Sequence, residues 1–360
     1  MDRKQLLRWW MGIVLIATLA GAPLALAQGG ALPDRIDVAR EGFFPEGIEY
    51  DAAGGRFLLG SLAEGTIFAV ADDGAIAPFI EDADLLSSVG IHIDAAGGRL
   101  LVPNVDRGVL AGEEPQGPAI SLLAYDLASG ERLFFTDLST FDPEARHFAN
   151  DVTVDPDGNA YVTDSFSPVI YKVDPQGEAS IFLQNDAFAS EQFGLNGIDY
   201  HPDGYLLVAK ADEGALFKVP LDDPEAFSRV ELDAPVSGAD GIVLRPDGAL
   251  AVVGQPQSVF LVRSEDGWQT ASIVETASLE QPATTAAIRE GEVYAIFAQL
   301  SAMGGDDPPD VFPIVRVPFE DSGAAASMDA GAADDAEAAA DAPAETEGSS
   351  GGDTGSKLGY

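Results

Sequence analysis

The chain has 360 residues, with 60 Asp or Glu against 19 Lys or Arg, a formal charge of −41 and no cysteine. A surface this acidic repels nucleic acid and anionic membranes, which leaves small molecules and divalent cations as the expected partners. The lack of cysteine excludes disulfides, thiolate zinc sites and a bacterial lipoprotein anchor.

The first residues read as a secretory signal. Arg3, Lys4 and Arg8 form a basic n-region, Met11 to Leu26 is apolar, and Ala25-Leu26-Ala27 is a small-x-small site before Gln28. This predicts a signal peptide over 1–27 and export to the periplasm or the extracellular space. The competing reading is a membrane anchor, but Gly21 and Pro23 interrupt the run and shorten it below a span. After cleavage a monomer free of the membrane is expected.

RIDVAR (35–40) is an isolated strand. A repeat follows: YDAAGGRFLLG (50–60), IDAAGGRLLVP (93–103), VDPDGNAYVTD (154–164), YHPDGYLLVAK (200–210) and LRPDGALAVVG (244–254). Their turn glycines, Gly55, Gly98, Gly158, Gly204 and Gly248, are spaced by 43, 60, 46 and 44 residues, and the long interval holds the loop insertion AGEEPQGP (111–118). Second strand pairs follow the copies, as in GTIFAVADDGAIAPFI (65–80) and VIYKVDPQGEASIFL (169–183). Four short strands per unit at this period predict β-propeller blades. A sixth, degraded unit runs through TTAAIREGEVYAIFAQL (284–300) and DVFPIVRVPFE (310–320). The expectation is an all-β, six-bladed β-propeller over 28–320, with RIDVAR completing the last blade and removing the open edges. Residues 321–360 hold little but Ala, Gly, Ser and acids and read as a disordered tail. An Ala-rich helix over 332–342 is the alternative, opposed by repulsion among its acids.

A polar residue stands just ahead of the first strand in four of the units. FFPEGIEY supplies Glu46, FANDVTV Asn150, GLNGIDY Asn196 and GADGIVL Asp240. The innermost strands of a propeller line its central channel, so these side chains are expected to converge. Two carboxylates and two amide oxygens make a hard-oxygen cage suited to Ca²⁺ or another divalent cation. The lack of histidine and thiolate in the set argues against zinc or copper. Asn-Gly and Asp-Gly also start strands simply as turns. Four such residues at one phase of a repeat favour the cage.

The stretches PEGIEY, NDVTVDPDGNAYVTD, NGIDYHPDG and ADGIVLRPDG resemble the senescence-marker-protein/gluconolactonase family, and less closely diisopropylfluorophosphatase and the paraoxonases. The resemblance covers roughly 40–320. It implies a catalytic calcium held by Glu46, Asn150, Asn196 and Asp240, and hydrolysis of lactones or phosphotriesters. It further implies that Asp240 acts as general base or nucleophile, with Asp151 supporting the ligands from behind. Two departures stand out. Phe148 occupies the position of a substrate-binding Arg, with Arg146 and His147 close enough to substitute. Asn104 in LLVPNVD is followed by Val105, where paraoxonases carry a histidine.

Asn104, Arg146, His147, Phe148 and Asp151 are therefore the candidate substrate contacts. His92 alternates with Ile91 and Ile93 and reads as structural or catalytic; His201 reads as a turn residue. Phe43, Phe44, Phe148 and Phe193 flank the motifs as pocket wall or core, and an apolar wall would favour hydrophobic lactones or esters over sugars. Two functional classes remain: a secreted Ca²⁺-dependent lactone or ester hydrolase, and a non-catalytic propeller stabilised by metal that binds a ligand or protein partner.

Overall fold

The repeated turns set the architecture. Gly55, Gly98, Gly158, Gly204 and Gly248 all have φ between +61° and +87°. Side chains with a Cβ rarely adopt that conformation, so glycine fixes each reversal. On either side the chain is extended and pairs antiparallel, as in Ile48–Asp51 with Arg56–Leu59, where Asp51 faces Arg56. Asp51 then accepts from Arg56 Nε at 2.9 Å, and Asp94 from Arg99 Nε at 2.8 Å, which pins the same turn in blades one and two.

The computed structural model describes residues 31–320 apart from 107, 109–114 and 116. The predicted signal peptide and acidic tail lie outside the described residues, as does most of the 111–118 insertion. The described chain forms six small sheets, arranged as the predicted six-bladed propeller. No described helix is long and apolar enough to cross a membrane.

Arg35–Ala39 pairs antiparallel with Val311–Arg316, from Arg35↔Val315 to Ala39↔Val311. The N-terminal strand thus forms the outer edge of blade six and closes the ring. Blade four departs from the regular plan. Its outer strand is only Ser228–Arg229, after which Glu231–Leu232 crosses and runs parallel to blade five's Thr270–Ser278. Pro224 and Pro235 bracket this segment.

The core follows from alternation. Phe57 and Leu59 enter the seam between blades six and one, while Leu58 enters the seam between blades one and two. Leu100 and Val102 share that second seam, and Leu101 faces blade three. A blade sandwiched between neighbours therefore needs apolar residues on both strand faces, and Arg99–Val105 is buried throughout. Six such clusters fill the six seams, and each fully buried Leu or Val contributes about 1.5–3 kcal/mol.

Candidate functional site

The first strand of every blade carries a short pattern whose phase sets the channel. The pattern is Glu46-Gly47-Ile48 in blade one, Val89-Gly90-Ile91 in two, Asn150-Asp151-Val152 in three, Asn196-Gly197-Ile198 in four, Asp240-Gly241-Ile242 in five and Thr284-Thr285-Ala286 in six. All six leading residues line one cavity of about 350 Å³ at one end of the channel. The structure thus brings Glu46, Asn150, Asn196 and Asp240 together, as expected. Val89 and Thr284 complete the ring.

Close approach of the blades explains the glycines behind it. A methyl on Gly47 would lie 2.5 Å from Val89 O, and one on Gly197 2.6 Å from Asp240 O. Backbone bonds cross between blades at this level, from Gly90 N to Asn150 O at 2.7 Å and from Gly197 N to Asp240 O at 3.2 Å. The leading side chains are held at the axis by this tight inner wall.

Each ring residue is fixed differently. Asn150 Nδ2 donates to Ser165 Oγ at 2.9 Å, and Ser165 Oγ donates to Leu195 O, so Oδ1 is the amide end left for the ring. Thr284 Oγ1 donates to Glu46 O at 3.1 Å, tying blade six to blade one. Glu46 and Asn196 are buried, yet Glu46 Oε2 and Asn196 Oδ1 have no hydrogen-bond partner. A buried acceptor without a donor costs on the order of 1–3 kcal/mol. Burial, then the charges of Asp240 and Asp151, push the Glu46 carboxyl well above its ordinary range. Burial pushes Asp240 up to about 7; a hydrogen bond from the Asn196 side chain opposes this and the charge of Asp151 adds to it. Two crowded carboxyls and two orphaned oxygens are the features a divalent cation would relieve, so the donor set fits Ca²⁺. No cluster of three or more His, Asp or Glu suited to a metal occurs among the described residues; in this ring two of the four candidate ligands are carboxamides.

Beyond the ring residues the wall is mostly apolar. Leu62, Phe148, Phe193, Leu300 and Met303 line it with Val89, and Gln255 is the one polar side chain among them. Phe148 and Phe193 meet edge-to-face with centroids 5.3 Å apart, and Phe166 packs against both. Phe43 and Phe44 are core instead, stacked edge-on against Phe312.

Four candidate contacts, Asn104, Arg146, His147 and Asp151, do not line this cavity. Asn104 Oδ1 accepts from Leu86 N and Ser87 N, and Nδ2 donates to Asp84 O and Ser121 Oγ, so its amide braces blade two. His147 is buried, with Nδ1 2.7 Å from Asp164 Oδ2 and Nε2 2.7 Å from Asp142 O. Burial opposes its charge, but these acceptors outweigh that and raise its pKa. The Arg146 guanidinium lies over the Phe166 ring at 4.3 Å.

Asp151 sits one step down the channel from Asn150 and lines a second cavity of about 50 Å³ with Glu49, His92 and Asp199. Each carboxylate there reaches the next blade's backbone. Glu49 Oε1 accepts from Ile93 N at 3.4 Å, Asp151 Oδ2 from Ile198 N at 3.2 Å and Asp199 Oδ2 from Leu244 N at 2.7 Å. Burial raises Asp151 to about 7, against the bonds from Val152 N and Ile198 N and the His92 charge. Burial also raises Asp199, against the His92 charge and the bonds from Leu244 N and Tyr200 N.

No protein-family model and no curated protein matches the sequence. Solved structures do. The major Malassezia sympodialis allergen Mala s 1 aligns with a TM-score of 0.67 at 22% identity, covering 80% of this chain and 96% of that one. A gluconolactonase from Xanthomonas campestris aligns at 0.54 and 16%, covering 79% and 89%. The calcium-binding protein regucalcin from Agrobacterium tumefaciens aligns at 0.54 and 16%, covering 79% and 95%. The chain shares their fold. At these identities the likeness extends to architecture alone, and it agrees with the propeller that the sequence resemblance implied.

The blade-two ring member was legible in principle. EGI, VGI, NGI and DGI share one phase, but a pattern of polar heads does not include the apolar Val89. Thr284 lacks the Gly-Ile that marks the phase elsewhere. Leu300 and Met303 lie in the irregular connection between the blade-six strands Glu292–Ile296 and Val311–Arg316.

Proposed function

We propose that this protein is a Ca²⁺-dependent hydrolase of lactones or related esters, working at the ring of Glu46, Asn150, Asn196 and Asp240. The observation that carries the reading is the pair of buried, unpartnered oxygens, Glu46 Oε2 and Asn196 Oδ1, beside the raised Asp240 carboxyl at the floor of an apolar cavity. Calcium held there would supply positive charge to the carbonyl oxygen of the substrate. Asn150 and Asn196 present neutral oxygens, so the ring offers two negative charges to a divalent ion. Asp240, a carboxylate of the ring that lines the cavity, is suited to act as general base. Its oxygen takes a proton from water as the water oxygen bonds to the carbonyl carbon. The ester C–O bond then breaks and the proton passes to the departing alkoxide. Phe148 and Phe193 exclude bulk water from the ring. The protein is further proposed to act as an exported monomer, on the pattern of its first 27 residues.

A second reading is a binding propeller in which the ion only joins the blades. It is favoured by one fact: none of His92, His147 and His201 lines the cavity, so no imidazole is placed there to relay a proton. The test is turnover of a panel of lactones and aryl esters by purified protein, with calcium and with chelator. Hydrolysis that stops on chelation supports the hydrolase. Bound calcium with no turnover of any substrate leaves the binding reading.

A further inference from the structure

The ring accounts for chemistry at a carbonyl, but not for what surrounds it. Eight large hydrophobic side chains are exposed among the described residues, and three of them, Phe193, Leu300 and Met303, rim this one cavity at 44%, 37% and 36% exposure. They come from separate connections, between blades three and four and within blade six. Exposed apolar groups gathered at the mouth of a polar-floored cavity have a cost in water that an apolar ligand removes.

The charge pattern narrows the ligand. No basic side chain among the described residues lines the cavity, in a chain whose formal charge is −41. Arg146, the one Arg or Lys among the candidate substrate contacts, does not line the cavity and lies over the Phe166 ring. With Glu46 and Asp240 engaged by the divalent ion they would hold, an anionic substrate finds no basic side chain among the described lining residues to pair with. A polyhydroxylated lactone would bring several donors and acceptors against a wall of Leu62, Val89, Phe148 and the rim. Each buried hydroxyl left without a partner there opposes binding. Val89 is decisive in position: it occupies the ring phase of blade two, so hydrocarbon surface begins beside Glu46 and Asn150 at the level of the reacting carbonyl.

We infer that the cavity takes neutral lactones or esters carrying a bulky hydrocarbon group, with the carbonyl at the ring, and that Phe193, Leu300 and Met303 set the preference. This rests on the reading of the ring as a carbonyl site. A cavity of about 350 Å³ holds a ring with a medium-length alkyl chain and leaves little room beyond it.

The experiment separates binding from turnover. Full-chain protein with calcium is titrated calorimetrically with 2-alkylcyclopentanones, which present a ring carbonyl and cannot be hydrolysed. In parallel, γ-alkyl lactones of matching chain length and a polyhydroxylated lactone are assayed for hydrolysis. Each added methylene should tighten Kd by up to about fourfold until the cavity is full. In Phe193→Ser and Leu300→Ser, both at exposed positions, that chain-length dependence should flatten. Leu133→Ser, at an exposed position outside the cavity, should retain it. Binding without dependence on chain length, no binding of any ketone, or equal preference for the polyhydroxylated lactone would each overturn the inference. Chain-length-dependent binding with no hydrolysis would sustain it and overturn the hydrolase. Hydrolysis indifferent to chain length would do the reverse.

Discussion

His92 Nδ1 lies 3.1 Å from Glu49 Oε1, an ion pair between the first strands of blades two and one inside the channel. Burial opposes the imidazolium, but the bond to Glu49 and the charges of Glu49, Asp199 and Asp151 outweigh it and hold the His92 pKa to about 9. Because the folded value lies above the unfolded one, near 6.5, the stabilisation is complete below about pH 6.5 and is lost as pH rises through about 9. Wild-type protein should lose on the order of 2 kcal/mol between pH 6.5 and 9.5 from this group. His92→Gln should flatten that part of the profile. Thermal melts across the range decide it, and a wild-type curve as flat as that of the variant would refute the pairing.

Calcium affinity should rise with pH. Asp240 titrates near 7 and Glu46 is raised well above its usual range, so below neutrality a proton must leave before a cation enters. Displacing one proton weakens Kd by about tenfold per pH unit below 7. Calorimetry at pH 5.5 and pH 8 measures this. Pairing the titration with Asp240→Asn should show weaker binding and a smaller pH slope; an unchanged slope would remove Asp240 from the site.

Asp240→Asn should lower kcat by about 10²–10⁴-fold on any substrate the wild type hydrolyses, because the amide cannot take the proton. Initial rates at saturating calcium test it. Full activity in the variant with calcium still bound would assign the base elsewhere.

Gly197→Ala should destabilise by about 1–3 kcal/mol and weaken calcium binding together. Its methyl would meet Asp240 O at 2.6 Å and push a ring residue off the axis. By contrast, Leu101→Ala, in the seam between blades two and three, should cost about 2–5 kcal/mol without changing calcium affinity per folded molecule. Denaturant unfolding and calcium titration of both variants separate the two effects.

Much of the fold was legible because its determinants are local. A glycine at positive φ and a run with apolar residues on both faces are written in a few consecutive residues, and they recur. Glu46, Asn150, Asn196 and Asp240 were legible for the same reason, whereas Thr284 was not. The fates of Asn104 and His147 were not. Asp164, which captures His147, is 17 residues away, and Asn104 is held by groups 17 to 20 residues distant. Only the folded chain shows that their hydrogen-bonding capacity is already used. The crossing of Glu231–Leu232 to blade five was hidden likewise, since two residues carry no periodicity.

The strand that seals blade six is the first described one, and its partner Val311–Arg316 is the last. A ribosome must therefore make residues 311–316 before the circle can be completed, and until then one edge of the last blade has no partner. Any truncation ahead of residue 316 removes a partner made hundreds of residues after the strand that needs it, so the earliest-made strand is among the last to find its place.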